Sequence, residues 1–257
     1  MTITNNSREN ENSIKAIYIC VYYNDVKLST ATGFFVEKDN IKYLITSWHV
    51  VSGRHFVTKE CLSDTCAIPN KMTIKYQNKK NIWVNYTIIL SNNEGKHNWL
   101  EHKVYGSDID VVAIPLPEIS EEIGNKQIFW YKSNYELFVT EQAFVLGYPF
   151  GLTIGKKTNP HAIWTSGTVA SDPCLEFEVK GKKRPMFLID SRTRPGQSGA
   201  PVIYYSEEGK DFHFKENRVA IFGVPFMQPI GIYSGRVNDQ SDLGYVWKWK
   251  VIEEIIS

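Results

Sequence analysis

Three short stretches of this sequence carry the residue types that together perform acyl transfer. The first is PGQSGAP, residues 195–201, in which Ser198 stands between Gly196-Gln197 and Gly199. A nucleophilic serine needs an imidazole to take its proton, a carboxylate to orient that imidazole, and backbone N–H groups aimed at the developing oxyanion. The glycines suit the last need, because residues without a Cβ let the chain turn sharply enough for N–H groups to converge. Of the six histidines, only His49 ends a strand-like apolar run, IKYLITSWHVV. His55, His97, His102, His161 and His213 lie in polar or loop-like surroundings and read as surface histidines. The carboxylate candidate is Asp110 in GSDIDVVAIPLP, directly before a buried-looking strand, and Asp108 competes with it from two residues upstream. An acid entering an apolar strand must be paired or hydrogen-bonded, since burying it alone is costly. Singly, these are a packed histidine, a turn aspartate and a surface turn. Together they are a nucleophile, a base and an orienting acid.

Such residues must be held by a scaffold, and the scaffold reads as all-β. From Ile14 onward, short β-like runs separated by turn residues dominate: 14–23, 31–38, 41–48, 81–90, 110–116, 142–149, 181–190, 199–205 and 229–236. Asp39-Asn40 suits a hairpin turn between two of them. Strands this frequent, with little helical pattern between them, predict a sandwich or barrel. One helix is expected at the end, where Trp249, Ile252 and Ile256 recur at helical spacing, and one more turn at Glu118–Gly124. Residues 1–13 are polar and read as a disordered, loosely attached arm.

Bulk properties narrow the function classes. The 257 residues include 42% hydrophobic and 13% aromatic positions, enough for a full core. A net charge of +1 gives no pull toward nucleic acid or an anionic membrane, and no apolar run is long enough to span a bilayer. The N-terminal stretch lacks the pattern of a secretory signal, which points to a cytoplasmic protein. Cys61 and Cys66 are near enough in sequence to pair or to share a metal, but no second cysteine pair at zinc spacing accompanies them. The expectation is therefore four unlinked thiols in a reducing compartment. A metal-dependent hydrolase is disfavoured, since neither HExxH nor paired CxxC is present, and no metal or cofactor is expected.

TSWHV, DVVAI and PGQSGAP, in that order, resemble the three signatures of the chymotrypsin-like (trypsin-fold) serine peptidases. The likeness is nearest to the bacterial HtrA/Deg branch, whose pattern GYPFGL (147–152), TSGTVAS (165–171), the serine loop with Asp190 eight residues before Ser198, and LGYVWKWKVIEEI also resemble. It covers roughly residues 14–256. It implies two six-stranded β-barrels, the first at about 14–125 and the second at about 140–246, with a closing helix at about 247–256. It further implies a serine endopeptidase acting on proteins or peptides, with His49 as base, Asp110 orienting it and Ser198 as nucleophile. The N–H groups of Gly196 and Ser198 would form the oxyanion hole. Ser234 would hydrogen-bond the aspartate, and Ser234-Gly235-Arg236 would pair with substrate backbone.

The departures carry expectations too. Gln197 stands where secreted trypsin relatives have the aspartate that pairs with a newly cut N-terminus, so that activation route is absent. Val50 replaces a disulfide cysteine. Both favour an intracellular, non-zymogen branch; the HtrA/Deg likeness implies a prokaryotic protein, here as a catalytic domain without the PDZ domain usual in HtrA proteins. The missing ion pair also motivates latency, released by an activating protein partner. A silent trypsin-fold module that binds peptides is the alternative. The pocket base would fall near Arg192 and Thr193, with Tyr233 as a wall. A cation there would select an acidic side chain. With Arg192 facing outward or paired with an acid, Tyr233 would narrow the pocket toward small residues. Arg194 is a second nearby cation.

Overall fold

The computed structural model describes residues 10–92, 95–129, 135–206, 211–214, 218–221, 223 and 225–257. The first half of the chain forms a seven-stranded sheet. Its strands are β1 (Ala16–Tyr23), β2 (Val26–Lys38), β3 (Ile41–Thr46), β4 (Lys71–Gln77), β5 (Trp83–Ile89), β6 (Val112–Pro115) and the short β7 (Ile128–Phe129). They run in the order β5-β4-β1-β2-β3-β6, with β7 parallel to β2. Alternation sets the inward faces: Ile17, Ile19 and Val21 of β1 and Met72, Ile74 and Tyr76 of β4 are buried. The β2–β3 turn is Asp39-Asn40, both at positive φ (52° and 63°), which a two-residue hairpin of matching twist requires. Residues 97–100 join the sheet's outer edges, since Asn98 N–H donates to Leu90 O (2.9 Å) and Leu100 bonds Ala113 of β6 in both directions.

The second half forms a closed six-stranded barrel. Its strands are β8 (Gln142–Gly147), β9 (Ile163–Val169), β12 (Met186–Ser191), β13 (Pro201–Ser206), β16 (Phe226–Arg236) and β17 (Leu243–Lys248), in the order β12-β17-β16-β13-β8-β9. Two hairpins stand outside it, β10–β11 (Phe177–Val179, Lys182–Arg184) and β14–β15 (Asp211–Phe214, Arg218–Ile221). The closing helix, α2 (Lys250–Ile255), follows the second barrel yet packs on the first. Trp249 stacks on Phe34 of β2 at 5.5 Å, and Val251, Ile252 and Ile255 are buried. The chain end thus fastens the second half's barrel to the first half's sheet through apolar burial.

Several sequence expectations are corrected here. Lys71–Gln77 is a strand that no β-like run marked. The turn expected at Glu118–Gly124 is a 3₁₀ turn at Pro117–Ile119, started by the proline. Residues 1–9 of the expected arm lie outside the described residues, but Glu11–Ile14 is a 3₁₀ turn. It is fastened because Ser13 O accepts from Ala162 N–H (2.8 Å) and Ser13 Oγ from Trp164 Nε1–H (2.9 Å). Cys61 and Cys66 are joined in a disulfide, while Cys20 and Cys174 are free. The tight loop, turned by Cys66 at φ 51°, brings their Cα atoms to 5.0 Å, within disulfide reach. His102 is buried rather than at the surface, with Nε2 3.1 Å from Glu254 of the closing helix.

Candidate active site

His49 does not end a strand. The chain leaves β3 at Thr46 and enters a one-turn helix, α1 (Trp48–Ser52), closed by Gly53 at φ 67°. The first N–H groups of a helix have no partner within it. The Ser47 side chain makes no capping bond. The His49 N–H instead donates to Asp110 Oδ1 at 2.8 Å, so the candidate acid also caps the helix that carries the candidate base. Neighbouring contacts fix α1 further. Trp48 Nε1–H donates to Glu101 (2.9 Å), and the Lys59 ammonium lies 4.3 Å from the Trp48 ring centre.

The ring of His49 meets the same carboxylate, with Nδ1 2.7 Å from Asp110 Oδ2. A carboxylate only accepts, so Nδ1 carries the proton and Nε2 is left free to act as a base. Asp110 is 0% exposed and takes a third hydrogen bond from the Ser234 hydroxyl. Three donors on one buried carboxyl meet the burial requirement read from the sequence. Asp108 is elsewhere. Lys182 Nζ (2.7 Å) and Arg184 (3.3 Å) of the β10–β11 hairpin hold it, and the Lys182 hydrogen bond keeps its carboxyl below the ordinary range. That cluster ties the second half of the chain to the loop preceding Asp110.

Ser198 lies between β16 and β2. Its neighbour Gly199 donates N–H to Tyr233 O (2.8 Å), and Ser198 O accepts Thr32 N–H (3.0 Å). The Ser198 hydroxyl donates to Ser234 O at 3.2 Å. The two glycines earn their place by contact. At Gly199 (φ 83°) a Cβ would lie 2.2 Å from Thr32 O and 2.4 Å from Thr46 Oγ1. At Gly196 (φ 96°) it would lie 2.4 Å from Tyr148 O. The loop is held from three sides. Thr32 Oγ1–H donates to Gly196 O (2.8 Å) and accepts Tyr148 N–H (3.2 Å). Phe150 N–H donates to Pro195 O (2.6 Å), and Gln197 O accepts Ala200 N–H (2.9 Å). In a trans peptide the C=O and N–H point opposite ways. The Gly196 N–H therefore points away from Phe150 and the Ser198 N–H away from Ala200, and neither has an acceptor among the described residues. Gln197, fully buried, latches the loop from within: Oε1 accepts Arg194 N–H (2.8 Å) and Nε2–H donates to Thr165 Oγ1 (2.9 Å).

The candidate pocket residues separate. Thr193 is buried and its hydroxyl lies 2.5 Å from the Tyr233 hydroxyl. Tyr233 is 2% exposed, packed so that a Cβ on Gly244 would meet its ring at 2.6 Å, and burial pushes its phenol up to about 12. Arg192 is exposed and lines an open polar cavity with Asp190 and Asp242. Arg194 donates to Thr193 O (2.8 Å) and lies 3.9 Å from Asp242. Arg236 donates to Asp239 O, and Gly235 follows a bulge in the β16–β17 pairing. Thr32, Glu101 and the inward latch of Gln197 escaped the sequence reading. Thr32 sits in an ordinary strand run, and nothing in its spacing marks it.

A closed six-stranded barrel and a seven-stranded sheet, with a histidine–aspartate pair and a serine between glycines at their seam, define a two-lobed all-β class. Residues 31–210 match the family model described as a trypsin-like peptidase domain, and the chain belongs to that family, a serine endopeptidase by class. Solved structures share the fold. The active form of the Rv3671c protease from M. tuberculosis is 15% identical (TM-score 0.52), covering 95% of this chain and 80% of that one. The serine endoprotease from Yersinia pestis is 10% identical (TM-score 0.51; 96% and 62% covered). The MamO protease domain from Magnetospirillum magneticum is 13% identical (TM-score 0.51; 95% and 96% covered). No curated protein matches in sequence.

Proposed function

We propose that the chain hydrolyses peptide bonds through a His49/Asp110/Ser198 triad and an acyl-enzyme. One observation carries the reading: the buried Asp110 carboxyl receives both the N–H and the ring of His49, together with Ser234, whose carbonyl holds the Ser198 hydroxyl. Substrate backbone lying along Ser234–Arg236 would bring its own N–H to Ser234 O. The Ser198 hydroxyl would give up that acceptor and turn to His49. Its oxygen attacks the carbonyl carbon while its proton moves to His49 Nε2. That proton then goes to the departing amine as the C–N bond breaks, and water repeats the sequence on the ester. The Gly196 and Ser198 N–H groups, without acceptors among the described residues, would receive the oxyanion. The packed Tyr233–Thr193 pair favours a small side chain before the scissile bond over an acidic one.

A second reading, a resting enzyme awaiting an activating partner or a silent peptide-binding module, is favoured by the same Ser198 hydroxyl, which donates to Ser234 rather than to His49. A fluorophosphonate probe separates them. We expect wild type to be labelled and Ser198→Ala and His49→Ala not to be. A wild type left unlabelled in purified form but labelled in host lysate would instead indicate the partner-dependent enzyme. No labelling in either would leave the binding module.

A further inference from the structure

The Cys61–Cys66 disulfide lies against the helix that carries the candidate base. Gly53 ends α1, with its N–H on His49 O (3.0 Å). Two arms of the loop that follows close on this glycine. In the first arm, Leu62 N–H donates to Gly53 O (3.0 Å), and Arg54 pairs with Cys61 as an antiparallel bridge. In the second, Ala67 and Pro69 press on it, since a Cβ on Gly53 would lie 3.0 Å from Ala67 O and 2.9 Å from Pro69 Cδ. The disulfide ties one arm to the other. Between them Lys59 reaches back over the Trp48 ring, so the same loop also touches the start of α1. The bond thus clasps the helix from its end.

Its two sulfurs are not equivalent. Cys66 is exposed and Cys61 half-buried. The Arg54 guanidinium donates to Cys61 Sγ, and Arg54 has no carboxylate partner among the described residues. A disulfide sulfur is a weak acceptor and offers a cation little. A thiolate in its place would be a full counter-charge, and a neighbouring cation favours the thiolate of a cysteine. In thiol–disulfide exchange, the sulfur whose thiolate is better stabilised leaves faster. The arrangement therefore has a direction. An incoming thiolate attacks the exposed Cys66 Sγ, the S–S bond breaks, and its electron pair stays on Cys61 Sγ facing Arg54. A second thiolate then attacks the reductant's sulfur in the mixed disulfide and frees Cys66. Two reducing thiols become one disulfide, and the two protons they release balance the two cysteine thiolates formed.

We propose that Cys61–Cys66 is a thiol–disulfide exchange site, open at Cys66 to small thiols of the glutathione class, whose reduction loosens α1 and so lowers the reactivity of Ser198 by displacing His49. The effect on Ser198 rests on the peptidase reading above. The test incubates the folded full chain with reduced glutathione and then returns it to oxidised glutathione. Peptide mapping by mass spectrometry should find the mixed disulfide on Cys66. Arg54→Gln should slow its formation about threefold to tenfold, because Cys61 becomes a poorer leaving group. On reduction, hydrogen exchange should rise across residues 48–62. The rate of fluorophosphonate labelling should fall about ten- to a hundredfold, the penalty of a base displaced by about 1 Å, and return on reoxidation. The double variant Cys61→Ser/Cys66→Ser should label slowly whichever glutathione is present. A disulfide that resists glutathione until urea is added, an adduct confined to Cys61, or an Arg54→Gln protein reacting at the wild-type rate would overturn the proposal. So would reduction that leaves hydrogen exchange unchanged, or that leaves unchanged the labelling of a protein that labels when oxidised. Failure of the peptidase reading looks different: the oxidised wild type would not label at all, while peptide mapping and hydrogen exchange would still follow the disulfide.

Discussion

Thr32→Val isolates the contact that joins the candidate serine loop to the first sheet. The change keeps the shape of the side chain and removes the hydroxyl. Two groups lose their partner: Tyr148 N–H, in a buried bond of 3.2 Å, and Gly196 O, in a partly buried bond of 2.8 Å. A buried donor left unpaired costs about 1–3 kcal/mol, and a partly solvated bond nets about 0.5–1.5 kcal/mol. The expected loss is about 2–4 kcal/mol of stability, or roughly 5–15 °C in Tm for a chain of this size. The effect on chemistry is separate. Freed of Thr32, the Gly196–Gln197 peptide can rotate; it links the two peptides that carry the Gly196 and Ser198 N–H groups, and misplacing one such donor would cost about 10²–10³ in rate. Urea unfolding reads the first effect, and the rate of fluorophosphonate labelling under native conditions reads the second. Thr32→Ser restores the hydroxyl and should recover most of the labelling rate at a small cost in stability. Labelling of Thr32→Val at the wild-type rate, or a Thr32→Ser protein as impaired as Thr32→Val, would refute the assignment.

Two further outcomes follow from the same geometry. Tyr233→Val removes the ring packed against Gly244 and the hydroxyl on Thr193, and should shift the preferred residue before the scissile bond from small to large apolar ones, read from the cleavage sites of a peptide library. Asp108→Asn removes the carboxyl held by Lys182 and Arg184. Because that pairing lowers the folded-state pKa of Asp108, its stabilisation is present above the unfolded value of about 3.9 and is lost as pH falls through the lower folded value. Unfolding curves of variant and wild type should therefore differ at pH 7 and converge in strong acid.

How much was legible in the sequence depended on whether a residue's type was unusual for its place. Asp110 before an apolar strand and Ser198 among glycines both break local rules, and such breaks are where function concentrates. The serine loop's glycines prove necessary for the predicted reason, backbone freedom, and for one the sequence could not display, the approach of Thr32 O and Tyr148 O. Thr32 was invisible because threonine suits any strand, and only the pairing of distant segments makes it a support. The α1 helix was read as a strand end because five residues are too few to set a period, while the apolar run before it was strong. Lys71–Gln77 alternates as a strand should, yet its lysines and glutamine hide the pattern. The Cys61–Cys66 disulfide depended on a loop conformation that spacing does not specify.

Gln197 shows how one substitution relocates control of such a site. An acid at this position, paired with a newly made N-terminus, ties the order of the loop to a cleavage event. A buried amide costs stability unless both its ends are bonded. Here the carbonyl end takes Arg194 N–H and the amino end gives to Thr165. Both partners come from the folded domain itself, one from the loop and one from β9, so the loop's order needs no new terminus. On the proposed reading, what is left to control is the Ser198 hydroxyl. Its acceptor, Ser234 O, belongs to the strand along which substrate would pair, so binding of extended backbone both removes that acceptor and presents the carbonyl to be attacked. The nucleophile would then be released by the substrate, which places selectivity in the backbone pairing along β16 as much as in any side-chain pocket.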